Sequence, residues 1–123
     1  MNNSIKLALA GLFGCLPMAA KAETALQLQA SCHEVGNATP VGQSQGVYIN
    51  DYEGGFCWGE FGALQALIGA QDLTLKLCLP DAGTRLELVQ VFLKYLDSHP
   101  NESGMQFVTV ALDAFATAYP CPR

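Results

Sequence analysis

The chain has 123 residues, half of them hydrophobic, and its eleven acidic residues outnumber its six Lys and Arg. The resulting net charge of −5 argues against binding to nucleic acid or to anionic membranes, because like charges repel. The length fits one small domain, without an internal repeat or an interdomain linker.

Residues 1–22 have the pattern of a cleaved signal peptide, with a positive start, an apolar run over residues 7–20 and a small-residue cleavage site ending at Ala22. A membrane anchor is the first alternative, but the run is short for a hydrocarbon core of about 30 Å. Lipoprotein cleavage before Cys15 is the second, and the bulky Phe13 disfavours it. We therefore expect export to the periplasm and a mature domain of residues 23–123.

Cleavage changes the charge and the cysteine count. The mature chain then has four basic and eleven acidic residues, which gives a net charge of −7. An even number of cysteines in a short exported chain predicts two disulfides, in one of three connectivities. The four cysteines of the mature chain are Cys32, Cys57, Cys78 and Cys121.

An all-α fold of about four helices is predicted, over residues 23–34, 51–70, 84–98 and from about 101 to 119. Ala, Gln and Glu favour a helix at 23–34, although the alternation of its apolar residues would equally suit a strand. Gly, Asn, Ser and Pro predict a loop at residues 35–50.

The second predicted helix is unusually rich in glycine. Gly55, Gly59, Gly62 and Gly69 each cost about 1 kcal/mol of helix stability relative to alanine, so we expect another backbone to pack closely against them. A glycine-rich phosphate loop is disfavoured, because no strand precedes the glycines and no Lys-Ser/Thr pair follows them. Trp58 is a candidate contact residue, with a core or dimer-interface role as the alternative.

The third helix has the clearest boundaries. Thr84 and Glu87 form a capping box at its start, and Pro100 predicts an end near Ser98. Asn101 or Ser103 is expected to cap the last helix. The apolar stripe expected for that helix consists of Met105, Val108, Leu112, Phe115 and Tyr119.

The cysteines flank these helices in a way that favours one pairing. In antiparallel helical hairpins the end of one helix lies near the start of the next, so Cys32 is expected beside Cys57. By the same argument Cys78 is expected beside Cys121, and the other two connectivities remain open.

No catalytic site, metal site or cofactor site is expected. A Cys–His pair needs a free thiolate, and every mature cysteine has an expected disulfide partner. His33 and His99 lack the spacing of zinc ligands, and no serine lies in a nucleophile elbow. We therefore predict a protein that is not an enzyme.

Three segments of the chain match short motifs of a known protein family. Gly55-Phe56-Cys57-Trp58-Gly59-Glu60-Phe61 is similar to the glycine–cysteine–glycine element on that family's second helix. Residues 77–100, from Leu77-Cys78-Leu79-Pro80 to His99-Pro100, resemble its Cys-x-Pro…Tyr-Leu…His-Pro segment. Tyr119-Pro120-Cys121 resembles the end of its closing helix. Together the three segments resemble the Rap/Tai immunity proteins of type VI secretion systems.

The resemblance implies an exported helical protein that binds and inhibits a peptidoglycan amidase toxin, a cysteine peptidase, by occluding its active site. It also implies a homodimer. Exposure arguments then select candidate toxin contacts in two loops, namely Tyr48, Asp51 and Tyr52 in one, and Ser98, His99, Asn101, Glu102 and Ser103 in the other. The alternative function is a small disulfide-bonded periplasmic chaperone of the acid-stress type, against which the few histidines and the well-capped third helix both argue.

Overall fold

The computed structural model describes residues 21–43, 46–70, 77–80 and 83–123. The predicted signal segment up to residue 20 and most of the 71–79 connector lie outside these residues. Four α-helices form the fold, as predicted, with a 3₁₀ turn before the last: α1 (Ala25–Gly36), α2 (Tyr52–Ala70), α3 (Arg85–Ser98), the turn (Pro100–Glu102) and α4 (Phe107–Ala118).

The core is built around α3, which packs against α1, α2 and α4. Phe61 of α2, Phe92 of α3 and Phe107 of α4 are buried and meet edge to face, with ring centroids 5.2 to 5.5 Å apart. Burial of an aromatic side chain of this size stabilises the fold by about 1.5–3 kcal/mol. These rings therefore hold three helices together at one point.

Capping boxes fix the starts of two helices. The Thr84 hydroxyl accepts a hydrogen bond from the Glu87 amide, and the Glu87 carboxylate accepts one from the Thr84 amide, as predicted. Thr24 and Gln27 form the same arrangement at the start of α1, which the sequence analysis had not identified. Residues 25–36 are thus helical, and the strand alternative is wrong.

The prediction for the start of α4 is wrong. The helix begins at Phe107 behind Gln106, which makes no side-chain capping bond, so neither Asn101 nor Ser103 caps it. Backbone pairing explains the late start, because the Met105 carbonyl accepts from Ala25 and the Phe107 amide donates to Glu23. These bonds hold the intervening chain extended beside the entry to α1.

The late start also changes the buried face of α4. Met105 precedes the helix and is 42% exposed, and Val108 is 45% exposed, so neither belongs to the core. The buried side chains are Phe107, Val110, Ala111, Ala114 and Phe115.

Two disulfides join the helices in the pairing that antiparallel geometry predicts. Cys32 bonds to Cys57 and is completely buried with it between α1 and α2. Cys78 bonds to Cys121 near the surface, next to a backbone bridge in which the Cys78 amide donates to Tyr119. We call these the buried disulfide and the surface disulfide.

The glycines of α2 do not serve the close packing that was predicted for them. A methyl group added at Gly55, Gly59 or Gly69 would meet no atom within 4 Å. At Gly62 it would meet only the guanidinium group of Arg85, which ends a flexible side chain. The outer face of α2 is therefore open, and nothing in the described part of the chain offsets the helix propensity lost there.

Candidate functional site

Contacts between His99 and the last turns of α3 hold the turn after this helix in place. The His99 ring stacks on Tyr95 with centroids 4.0 Å apart, and its Nδ1 lies 2.8 Å from the Tyr95 carbonyl oxygen. Because a carbonyl only accepts, Nδ1 carries the proton in this bond. This bond satisfies one of the last carbonyl groups of α3.

Glu102 and Ser103 complete the turn. The Tyr95 hydroxyl donates to Glu102 Oε1 at 3.4 Å, while Oε2 is buried and has no hydrogen-bond partner among the described residues. Burial raises the pKa of Tyr95, and the carboxylates of Glu102 and Asp113 raise it further. The Ser103 carbonyl accepts from the Leu26 amide.

Only two of the five candidates in this turn are exposed. Ser98 donates its hydroxyl to the Lys94 carbonyl, whereas Asn101 makes no side-chain hydrogen bond within the described residues. His99, Glu102 and Ser103 are half-buried and have structural partners. Asn101 therefore presents the side chain of this turn that is most available to a partner.

The second group of candidates surrounds the start of α2. Tyr48 is 81% exposed and Tyr52 is 79% exposed, so both rings project into solvent. Asp51 has a structural role, because its Oδ1 accepts a hydrogen bond of 2.7 Å from the Gly54 amide and so caps α2. Tyr52 stacks on Phe56 one turn along the helix, with centroids 6.2 Å apart and planes 15° apart.

A groove of about 520 Å³ runs between α1 and α2 beside this aromatic pair. Its charged side chains are Glu23 and Glu53. Ser31 on the facing helix is 8% exposed and donates its hydroxyl to Glu53 Oε2. We call this feature the acidic aromatic groove; it is lined by Glu23, Gln27, Ala30, Ser31, Tyr52, Glu53 and Phe56.

Of the residues that line this groove, only Tyr52 was predicted from the sequence as a contact residue. The i, i+4 spacing of Tyr52 and Phe56 was available as a signal for the aromatic pair. Nothing local in the sequence indicates that Ser31 lies against Glu53, 22 residues away. The buried disulfide, which fixes α1 against α2, brings them together.

Trp58 has a mainly intramolecular environment. It is half-buried against the core, and the Arg85 guanidinium lies 4.8 Å from its ring centroid. Arg85 also donates to the Trp58 carbonyl at 3.3 Å. The cation–π contact between Trp58 and Arg85 thus joins α2 to the first residue of α3.

The arrangement offers surfaces for contact. Within the described residues, no three His, Cys, Asp or Glu side chains are placed to hold a metal ion, and all four cysteines are in disulfides. None of the described helices combines the length and apolar character that crossing a membrane requires. The exposed features are the aromatic side chains at the start of α2, the acidic aromatic groove and the turn at Asn101.

These features define a small, disulfide-bonded helical protein with rigid contact surfaces. Residues 24–121 match the family model of the Rap1a immunity proteins, and the chain belongs to this family. Membership implies that it acts as an immunity protein by binding a cognate toxin. No curated protein and no solved structure matches the chain.

Proposed function

We propose that this protein is a periplasmic immunity protein that binds and inhibits a peptidoglycan amidase toxin of a type VI secretion system. The match to the Rap1a immunity proteins over residues 24–121 is the observation that carries the proposal. The toxin is a cysteine peptidase delivered by sibling cells, and the inhibitor itself has no catalytic role. Inhibition works by covering the toxin's active site.

A covering inhibitor needs side chains that are held in place before binding, because ordering them afterwards weakens affinity. The start of α2, which Asp51 caps, holds the exposed Tyr48 and Tyr52 in this way. The turn at Asn101 is supported by the Tyr95–His99 stack. We propose that these two regions contact the toxin.

We also propose a homodimer that forms through the outer face of α2. This face presents the exposed residues Gly55, Gly59 and Ala66, none of which is charged, and this lets two chains of net charge −7 approach. Open glycines allow two helix backbones to come close together. Size-exclusion chromatography with light scattering tests this proposal. Gly59→Arg should yield a monomer, whereas Ala116→Arg on the exposed side of α4 should leave the dimer intact.

The function is tested with the oxidised domain of residues 23–123 and the amidase encoded beside its gene. We expect a stoichiometric complex and loss of the amidase's cleavage of purified peptidoglycan. An amidase from an unrelated secretion cluster is the control and should remain active. The proposal would be refuted if the folded, oxidised domain neither bound nor inhibited the amidase encoded beside its gene. Strong binding of a hydrophobic dye on acidification would then support the chaperone function.

A further inference from the structure

We propose that the acidic aromatic groove between α1 and α2 receives a lysine or arginine side chain of the toxin. This inference rests on the proposed function and adds the surface and the chemistry of recognition. The groove combines an aromatic pair, in which Tyr52 is exposed and Phe56 is half-buried, with two carboxylates, and a cation on a long aliphatic stem needs both. Such a side chain packs its stem on the rings and places its charge at the carboxylates.

The aromatic wall of the groove is already formed in the unbound chain. Tyr52 stacks on Phe56, and Phe56 in turn packs against the core, so the pair presents a fixed surface. Tyr52 is nevertheless 79% exposed, and within the described residues it donates no hydrogen bond. Large exposed aromatic side chains of this kind dominate the binding energy of many protein interfaces.

The Glu53 carboxylate is also held in place in the unbound chain. The buried Ser31 hydroxyl donates to its Oε2, which fixes the carboxylate at the groove wall. Its Oε1 accepts no hydrogen bond from the described residues and is available to a cationic donor. A hydrogen bond between two charged groups is about twice as strong as one between neutral groups.

The charge distribution selects a cation as the occupant. Residues 23–70 contain no Lys or Arg and have five carboxylates: Glu23, Glu34, Asp51, Glu53 and Glu60. The α-ammonium group that cleavage after Ala22 would create adds one positive charge, which leaves an excess of four negative charges. Among the described residues the one contact between a carboxylate and a basic side chain in this half joins Glu34 to its neighbour His33, outside the groove.

Two other grooves lack this combination, and the pocket of about 50 Å³ beside Glu34, Tyr48 and Asp51, which has it, is about a tenth of the size. The groove between α1 and α3 is larger, at about 750 Å³, but Lys94 lies in its wall. Hydrogen bonds from Gln29 to Asp97 and from Gln90 to the Gly36 carbonyl also cross it. The groove between α3 and α4 again contains Lys94 and no carboxylate.

The test measures affinity of the oxidised domain for the neighbouring amidase as a function of salt. We expect Glu53→Gln to weaken binding by about tenfold to a hundredfold, the range for a hydrogen bond to a charged group. The same variant should make the affinity less dependent on salt, because one ion pair is removed. Tyr52→Ala should weaken binding by tenfold or more.

Matched controls separate the groove from its surroundings. Glu34→Gln removes the same charge from the same half of the molecule outside the groove, and Leu67→Ala truncates an exposed apolar side chain at the other end of α2. Both should change affinity less than threefold. Unchanged far-UV circular dichroism and melting temperature would establish that all variants are folded.

Two different failures are distinguishable. If the unmodified domain does not bind the amidase, the proposed function fails. If it binds, but Glu53→Gln and Tyr52→Ala bind as tightly as it does and with the same salt dependence, the groove is not the cation site. An equal loss with Glu34→Gln and Glu53→Gln would also overturn the inference, because it would show a general effect of the acidic surface.

Discussion

Alanine substitutions at two glycines of α2 should have opposite effects on stability. Gly59 faces open space, where an added methyl group meets nothing within 4 Å. Gly59→Ala should therefore raise the free energy of unfolding by about 1 kcal/mol, the difference in helix propensity between the two residues. This result would show that Gly59 lowers the stability of the monomer without making a contact within it that requires glycine.

Gly54→Ala on the buried side of the same helix should have the reverse sign. The added methyl carbon would lie 2.9 Å from Asp51 Oδ1, the atom that caps the helix, and 3.2 Å from a methyl group of Ile49. Displacing the cap costs about 1 kcal/mol and overpacking costs about 1–3 kcal/mol. Together they exceed the gain in propensity of about 1 kcal/mol, so we expect a net loss of about 1–3 kcal/mol.

Urea unfolding followed by circular dichroism measures both changes, at a protein concentration where light scattering shows monomers. Equal effects of the two substitutions would refute the reasoning, because the helix propensity change is the same at both positions. A loss of stability in monomeric Gly59→Ala would contradict the open environment assigned to that glycine. Repeating the measurement at dimer-forming concentrations tests whether the gain disappears when a second chain covers the face.

Three further predictions concern the cap, the disulfides and the alkaline pH range. Thr84→Ala should lower the free energy of unfolding by about 1 kcal/mol through loss of the capping box, whereas Thr84→Ser should leave it nearly unchanged, as measured by urea unfolding. Cys32→Ala should lower the melting temperature far more than Asn101→Ala, because a disulfide closing a loop of this length contributes about 3–4 kcal/mol and an exposed side chain contributes less than about 0.5 kcal/mol. Stability should fall as pH rises above about 10, because the raised pKa of Tyr95 keeps its proton in the folded state while the unfolded chain loses it. Glu102→Gln should lower that pKa and lessen the loss, as measured by ultraviolet titration of tyrosine and by melts across the pH range.

Each of these predictions has a result that contradicts it. Equal stability of Thr84→Ala and the unmodified chain would mean that the capping box does not hold α3. A greater loss of melting temperature with Asn101→Ala than with Cys32→Ala would mean that the loop side chain contributes more to stability than the buried disulfide. An unchanged Tyr95 titration in Glu102→Gln would exclude the carboxylate as a cause of the shift.

The sequence alone determined the features that depend on neighbours along the chain. The capping box at Thr84 and the end of α3 before Pro100 follow from residues three or four positions apart, where local geometry decides. Flanking positions and short turns were also sufficient for the disulfide pairing of Cys78 with Cys121.

Only the tertiary structure decided the features that depend on residues distant in sequence. Helix α4 begins only at Phe107 because the preceding chain pairs with Glu23 and Ala25, 80 or more residues away. Gly55, Gly59 and Gly69 of α2 were expected to contact a backbone and instead face outward, since only packing shows which side of an apolar helix is covered. The acidic aromatic groove likewise exists because the buried disulfide holds Ser31 against Glu53, a juxtaposition that no local pattern of residues encodes.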